Sequence, residues 1–160
     1  LFLWLNNMGT LFREDKQMYE YRVKVLRVVD GDTVDVDIDL GFGVALANER
    51  VRIMGIDTPE CRTSDDIEKQ FGLLAKQRVE QLLPVGSHHV LHSHDFKGKF
   101  GRILGDIEVL PSNLKLTEIL LSEHLAVAYN GQSKDDIEAA HLQNREILVE
   151  QGAVKLMEDK

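Results

Sequence analysis

Nine consecutive residues, Arg52-Ile53-Met54-Gly55-Ile56-Asp57-Thr58-Pro59-Glu60, carry a guanidinium, two carboxylates and a hydroxyl. An arginine and an acid at a strand end, then a second acid on a turn fixed by Pro59, suit an anionic substrate bound through a cation. Asp-Thr-Pro-Glu is also ordinary turn chemistry, so the stretch gains meaning only alongside other groups. Two further stretches offer them: Val29-Asp30-Gly31-Asp32-Thr33-Val34 upstream and Lys99-Phe100-Gly101-Arg102 downstream. Taken singly, Asp32 reads as an Asx-type turn after Gly31, and Arg52 and Arg102 read as surface ion-pair partners.

Short strands must position these groups. Tyr21, Val23 and Val25 alternate with Arg22 and Lys24. The phase slips at Val25-Leu26, which predicts a bulge, and Asp30-Gly31-Asp32-Thr33 reads as a hairpin turn. In the next strand Val34, Val36, Ile38 and Leu40 predict an apolar face. Asp35, Asp37 and Asp39 are expected on a solvated opposite face, about 7 Å apart and too far to share one ion. Gly41-Phe42-Gly43 opens a long loop, Asp39 to Asn48, and a third strand is expected from about Glu49 to Ile56. The spacing of Ile67, Phe71, Leu74, Ala75, Val79 and Leu82 predicts a helix, capped by Thr63 or Ser64 and stopped by Pro84 and Gly86. Strands from His88 to His94 and Arg102 to Val109 follow. A short helix at about Leu114–Glu123 and an extended Leu125–Tyr129 come next. The last helix starts at Ser133 with Asp136 and ends at Gly152. The order fits a mainly β, α+β domain: a five-stranded barrel of the oligonucleotide/oligosaccharide-binding (OB) kind, with one helix between strands 3 and 4 and two C-terminal helices. A flat α+β sheet satisfies the same pattern.

At 160 residues and 43% hydrophobic, the chain is long enough for one domain with its own core. The formal charge of −8 excludes a generally polyanion-binding surface. A polyanion site must be local or recruit cations, and its binding should be salt-sensitive. The single cysteine, Cys61, excludes a disulfide framework and a cysteine-based zinc site. His88, His92 and His94 share a strand face, and imidazoles ligate zinc well, yet no acid or cysteine spacing completes a site. Together with His89 they are expected to form a polar strand surface, beside Lys97 and Lys99, that gains positive charge toward acid pH. His124 and His141 carry no case for a role. No stretch approaches the roughly 20 apolar residues of a bilayer span. Leu1-Phe2-Leu3-Trp4-Leu5 is too short for a signal peptide. The expectation is a cytoplasmic, membrane-free monomer whose domain spans residues 18–160, with residues 1–17 a dispensable extension.

The three motifs occur in one order with the helix in its place. They closely resemble the thermonuclease, or staphylococcal nuclease-like, family over about Tyr21 to Gly152. The resemblance implies a calcium-dependent nuclease acting on DNA, with RNA as a further substrate, cleaving the bond to the 5′ oxygen and leaving 3′-phosphate ends. It implies that Asp32 and Asp57 are the metal carboxylates and that the main-chain carbonyl of Thr58 is a further ligand. Glu60 becomes the general base or water-orienting group, Arg52 and Arg102 the phosphate clamps, and Asp30 a rim residue. Lys99 would support the nucleic-acid path. Phe100 stands where the family often has an aromatic hydroxyl, keeping stacking and losing a phosphate bond. Tyr129 resembles the family's stacking tyrosine, one residue short in spacing. Such roles are chemically coherent, because hard cations, arginine forks and a carboxylate near the attacking water answer the charge and proton demands of phosphodiester hydrolysis. The competing expectation is a catalytically inactive OB-fold nucleic-acid-binding module. That reading calls for a missing acid or arginine, and none is missing.

Overall fold

The structure, a computed structural model, describes residues 19–155, without the side chains of residues 94–97. The extension expected over residues 1–17 lies outside the described residues. Three long strands, β1 (Tyr19–Asp30), β2 (Thr33–Gly41) and β3 (Val44–Ile53), form an antiparallel meander. A two-residue strand β4 (Ile56–Asp57) precedes helix α1 (Asp66–Leu82), after which β5 (His88–Lys97) and β6 (Ile103–Val109) complete the long strands. The short strand β7 (Leu114–Lys115), helix α2 (Leu116–Ser122), the short strand β8 (Val127–Ala128) and helix α3 (Lys134–Glu150) follow. The long strands run in the order β3-β2-β1-β5-β6. Parallel pairing of Val51, Arg52 and Ile53 with Ile103, Leu104 and Gly105 joins β3 back to β6 and closes the barrel. This is the mainly β, α+β, OB-like architecture expected, with α1 between the third and fourth long strands.

Alternation builds the interior. Val23, Val25, Val34, Val36, Val51, Ile53, Leu91 and Ile107 are all at most 1% exposed. β-Branched side chains suit this pleated, enclosed surface, and each contributes about 1.5–3 kcal/mol when fully buried. α1 packs Phe71, Ala75 and Val79 onto the same core. Its N-cap is Asp65, whose carboxylate accepts from the Ile67 and Glu68 N–H groups, and not the expected Thr63 or Ser64. The bulge in β1 falls between Val25 and Arg27. Ser133 caps α3 through the Asp136 N–H. Among the described residues no helix is long and apolar enough to cross a membrane.

Other expectations need correction. Residues 39–48 are not a long loop: β2 continues to Gly41, β3 begins at Val44, and Phe42 stands fully exposed at the tip. β3 also ends at Ile53, leaving Ile56 and Asp57 to form a ladder with Ala128 and Val127 of β8. The histidine strand is only partly a polar surface: His88 is exposed, but His89 and His92 are 3% and 8% exposed, because each of those two rings finds partners. His92 meets Glu108 at 2.8 Å and Glu20 at 3.4 Å; His89 meets the Ser87 hydroxyl and accepts from the Leu110 N–H. The side chains of His94 and Lys97 lie outside those described.

The aspartate face of β2 is also only partly solvated. Asp35 is 4% exposed. The register places Arg27 of β1 and Arg50 of β3 on either side of it. Arg50 donates through Nε at 2.8 Å and Nη2 at 3.0 Å, and Arg27 donates through Nη2 at 2.7 Å. Pairing of this kind is what allows a carboxylate to be buried. The bonds from Arg50, followed by those from Arg27, hold the Asp35 carboxyl below its ordinary value of 3.8 despite burial. A carboxylate with a depressed folded pKa contributes stability above the unfolded value and loses it as pH falls through the folded one. Asp35→Asn is expected to cost about 1–3 kcal/mol in urea unfolding at neutral pH. The gap to wild type should narrow below pH 3.8; a gap unchanged down to about pH 2 would refute the pairing as its source.

Candidate active site

Asp32 sits on the two-residue hairpin turn between β1 and β2, where Asp30 pairs with Thr33. Gly31 is favoured there by space. A Cβ on it would lie 3.0 Å from the Ala75 Cβ and from both Thr58 Cγ2 and Thr58 Oγ1. The missing side chain lets the turn settle between α1 and Thr58. Asp32 Oδ1 then accepts from the Thr33 hydroxyl at 2.9 Å, and Oδ2 from the Thr58 N–H at 3.4 Å. Burial lifts the Asp32 carboxyl above its ordinary value, against the attraction of Arg52.

Arg52 joins the two acids. Its Nη2 lies 3.1 Å from Asp32 and 3.6 Å from Asp57, while Nη1 donates to the carbonyls of Ile53 and Ile56. Asp57 is fixed from three sides: by the β4–β8 ladder, by Arg52, and by His141 Nε2 at 2.8 Å from its Oδ2. Glu60 follows Pro59 at the groove mouth. Its backbone is set by Gly72 of α1, where a Cβ would collide with the Glu60 carbonyl and come within 2.7 Å of the Cys61 N–H. The Glu60 carboxyl is raised, first by partial burial and then by repulsion from Asp30, Asp32, Asp57 and Glu68. Cys61 itself is packed inside.

Arg102 follows a single 3₁₀ turn, Lys99–Gly101, with its Nε donating to the Lys99 carbonyl at 3.3 Å. Phe100, at φ 63°, is held almost fully exposed beside it. Two adjoining depressions, of about 760 and 990 Å³, share Arg52, Asp57, Glu60 and Arg102. The first also takes in Asp32 and Phe100; the second takes in Thr58, Lys99 and half-exposed Tyr129. The residues given catalytic, metal or substrate roles by the resemblance therefore all line one two-armed groove, and each arm is within the size range of a ligand site.

Several neighbours complete the groove from outside the three motifs. His141, for which the sequence carries no case, bonds Asp57 from 84 positions away. Arg145, one helical turn further on, lines the same arm with its guanidinium 5.5 Å over the Phe71 ring. Lys134, Glu138, His141 and Arg145 recur at three- and four-residue intervals, and that polar stripe was the available signal. Gly72 was legible too, since a glycine inside a helix costs about 1 kcal/mol and calls for a packing reason.

Among the described residues no group of three or more His, Cys, Asp or Glu side chains is arranged to hold a metal by itself. The donors on offer are two carboxylates, Asp32 and Asp57, with the Thr58 main chain beside them. Hard oxygens of this sort fit calcium or magnesium, which complete their shells with carbonyls and water. Among the described residues the buried Thr58 hydroxyl oxygen has no hydrogen-bond partner. Glu60 also carries the mutual repulsion of the surrounding acids. Both features fit a cation at this place.

A closed β barrel with an inserted helix and an acid–arginine groove defines the class: a mainly β, OB-like α+β domain. Residues 50–154 match the family described as staphylococcal nuclease homologue, and the chain belongs to that family. The Asp32 hairpin precedes the matched residues, so its place in the site rests on geometry. The chain is 28% identical over 104 residues to the thermonuclease of Staphylococcus intermedius, covering 65% of this chain and 58% of that protein. It is 36% identical over 90 residues to protein ParB of Escherichia coli, covering 56% and 43%. To the uncharacterized protein MJ1439 of Methanocaldococcus jannaschii it is 28% identical over 155 residues, covering 83% and 71%. The chain thus spans about half the length of the first two relatives.

Proposed function

We propose that this chain is a calcium-dependent nuclease that hydrolyses phosphodiester bonds of DNA and RNA and leaves 3′-phosphate ends. The observation that carries this reading is the convergence of Asp32, Arg52, Asp57, Glu60 and Arg102 on one groove from three separated stretches. Asp32, Asp57 and the Thr58 carbonyl would hold the cation. Bound there, a hard divalent ion offsets negative charge on the phosphoryl oxygens and polarises water.

The chain's own groups supply the rest. Glu60 accepts the proton of the attacking water, a role its raised pKa suits. Arg102 presents its two terminal nitrogens to the phosphate as a bidentate fork. Arg52, whose two terminal nitrogens reach Asp32, Asp57 and the Ile53 and Ile56 carbonyls, holds the two aspartates in register and adds positive charge to the groove wall. Phe100 and Tyr129, one on each arm, offer aromatic faces that stack on any base.

The test is hydrolysis of single-stranded DNA with calcium, with magnesium and with chelator, for wild type and Arg52→Ala. Cleavage should need the cation and fall at least about 100-fold in the variant, the scale of losing a positioned charge donor. Chelator-resistant cleavage, or a variant as fast as wild type, would overturn the reading. No cleavage with either cation would return the chain to the binding-module class.

A further inference from the structure

The first arm of the groove runs past the proposed centre to a part of the barrel that the proposed chemistry leaves unused. Five of the nine arginines of the chain line this depression, Arg27, Arg50, Arg52, Arg62 and Arg102, and among the described residues no lysine does. In a chain of formal charge −8 that concentration is local. The choice of guanidinium over ammonium is chemically specific, since a planar fork matches phosphate oxygens two at a time.

We propose that Arg27 and Arg50, fixed by Asp35, form a second phosphate subsite for the nucleotide flanking the bond that is cut. Asp35 anchors both side chains through three bonds of 2.7–3.0 Å. Of the five N–H donors on each guanidinium, Arg50 commits two to Asp35 and Arg27 one. The other donors remain, and the two side chains are 45% and 61% exposed. A buried carboxylate therefore orients two forks whose outer edges stay in the groove. Prior fixing lowers the entropy lost when a ligand binds.

Strand geometry sets the spacing. Arg50 and Arg52 are two residues apart on β3, so their side chains leave the same face about 7 Å from each other. That separation is of the order of one nucleotide step in an extended strand. Six carboxylates, Asp30, Asp32, Asp35, Glu49, Asp57 and Glu60, line the same arm, so recognition there rests on directed donors and not on net charge. The subsite rests on the nuclease reading for its ligand and makes it more specific: the substrate is a polynucleotide, held on both sides of the scissile phosphate.

The test is fluorescence anisotropy of labelled oligothymidylates of eight and two nucleotides, in chelator, with wild type and the variants Arg27→Ala, Arg50→Ala and Arg50→Lys. Each alanine variant should bind the longer strand roughly tenfold more weakly, the scale of a charge-assisted hydrogen bond. The loss should be smaller for the dinucleotide, and the salt slope should drop by about 0.7 per lost contact. Arg50→Lys keeps a cation against Asp35 and loses the fork, so it should behave like Arg50→Ala. Arg78→Ala, which removes a charge paired with Glu123 at 2.7 Å outside the groove, should match wild type. Unchanged octamer affinity and slope, or equal losses for both lengths, would overturn the subsite. If the variants lose the octamer while wild type cleaves nothing, the nuclease reading fails and what stands is a phosphate site for bound polynucleotide, with no cut bond beside it. If wild type cleaves and the variants bind normally, the subsite fails alone.

Discussion

Glu60→Gln is expected to slow cleavage of single-stranded DNA by roughly 10²- to 10⁴-fold, the usual contribution of a positioned general base. The amide is close in size and cannot take the proton. The carboxyl is held above its ordinary value of 4.5 by partial burial and by Asp30, Asp32, Asp57 and Glu68. A base works only when ionised, so wild-type turnover should show an acidic limb where this carboxyl takes up its proton. A cation on Asp32 and Asp57 would offset their repulsion, so the limb should move to lower pH as calcium is raised. The residual activity of the glutamine variant should lack that limb. A variant that keeps both the wild-type rate and the limb would remove Glu60 from the chemistry.

Gly72→Ala is the second change expected to act strongly. The new methyl group would enter the Glu60–Cys61 peptide, so either α1 or the turn must move. Overpacking of this kind costs about 1–3 kcal/mol, or roughly 2–12 °C in a chain of this size. The kinetic effect should be larger, because a shift of about 1 Å in a positioned group costs about 100-fold. Val79→Ala supplies the comparison: it weakens the same helix from its fully buried face and leaves the Glu60 peptide untouched. Measured well below both melting temperatures, Gly72→Ala should be slow and Val79→Ala near wild type. Equal rates in the two variants would show that Gly72 matters for stability alone.

Local pattern carried much of this architecture. The alternation from Val34 to Leu40 and the helical spacing from Ile67 to Leu82 each report one element's own burial, and both elements formed where that pattern put them. The motif around Asp57 was legible because its residues are contiguous. The burial of Asp35 escapes local pattern because alternation says only that it opposes Val34 and Val36. Its burial depends on Arg27 and Arg50, whose positions follow from a one-residue bulge in β1 and from strand register. The burial of His92 escapes it in the same way, since Glu20 and Glu108 come from the two neighbouring strands. The bond between His141 and Asp57 needs the docked position of α3, which no single window of sequence contains.

The ladder between β4 and β8 ties the fate of Asp57 to the end of the chain. β8 leads into α3, and of the seventeen residues of that helix Leu148 alone is buried. His141, the other restraint from this side, belongs to the same helix. Segments with so little apolar burial open at lower free energy than a barrel core. Heat would then release Asp57 while Asp32, Arg52 and Arg102 stay on an intact barrel, and the molecule would fall silent before it melts.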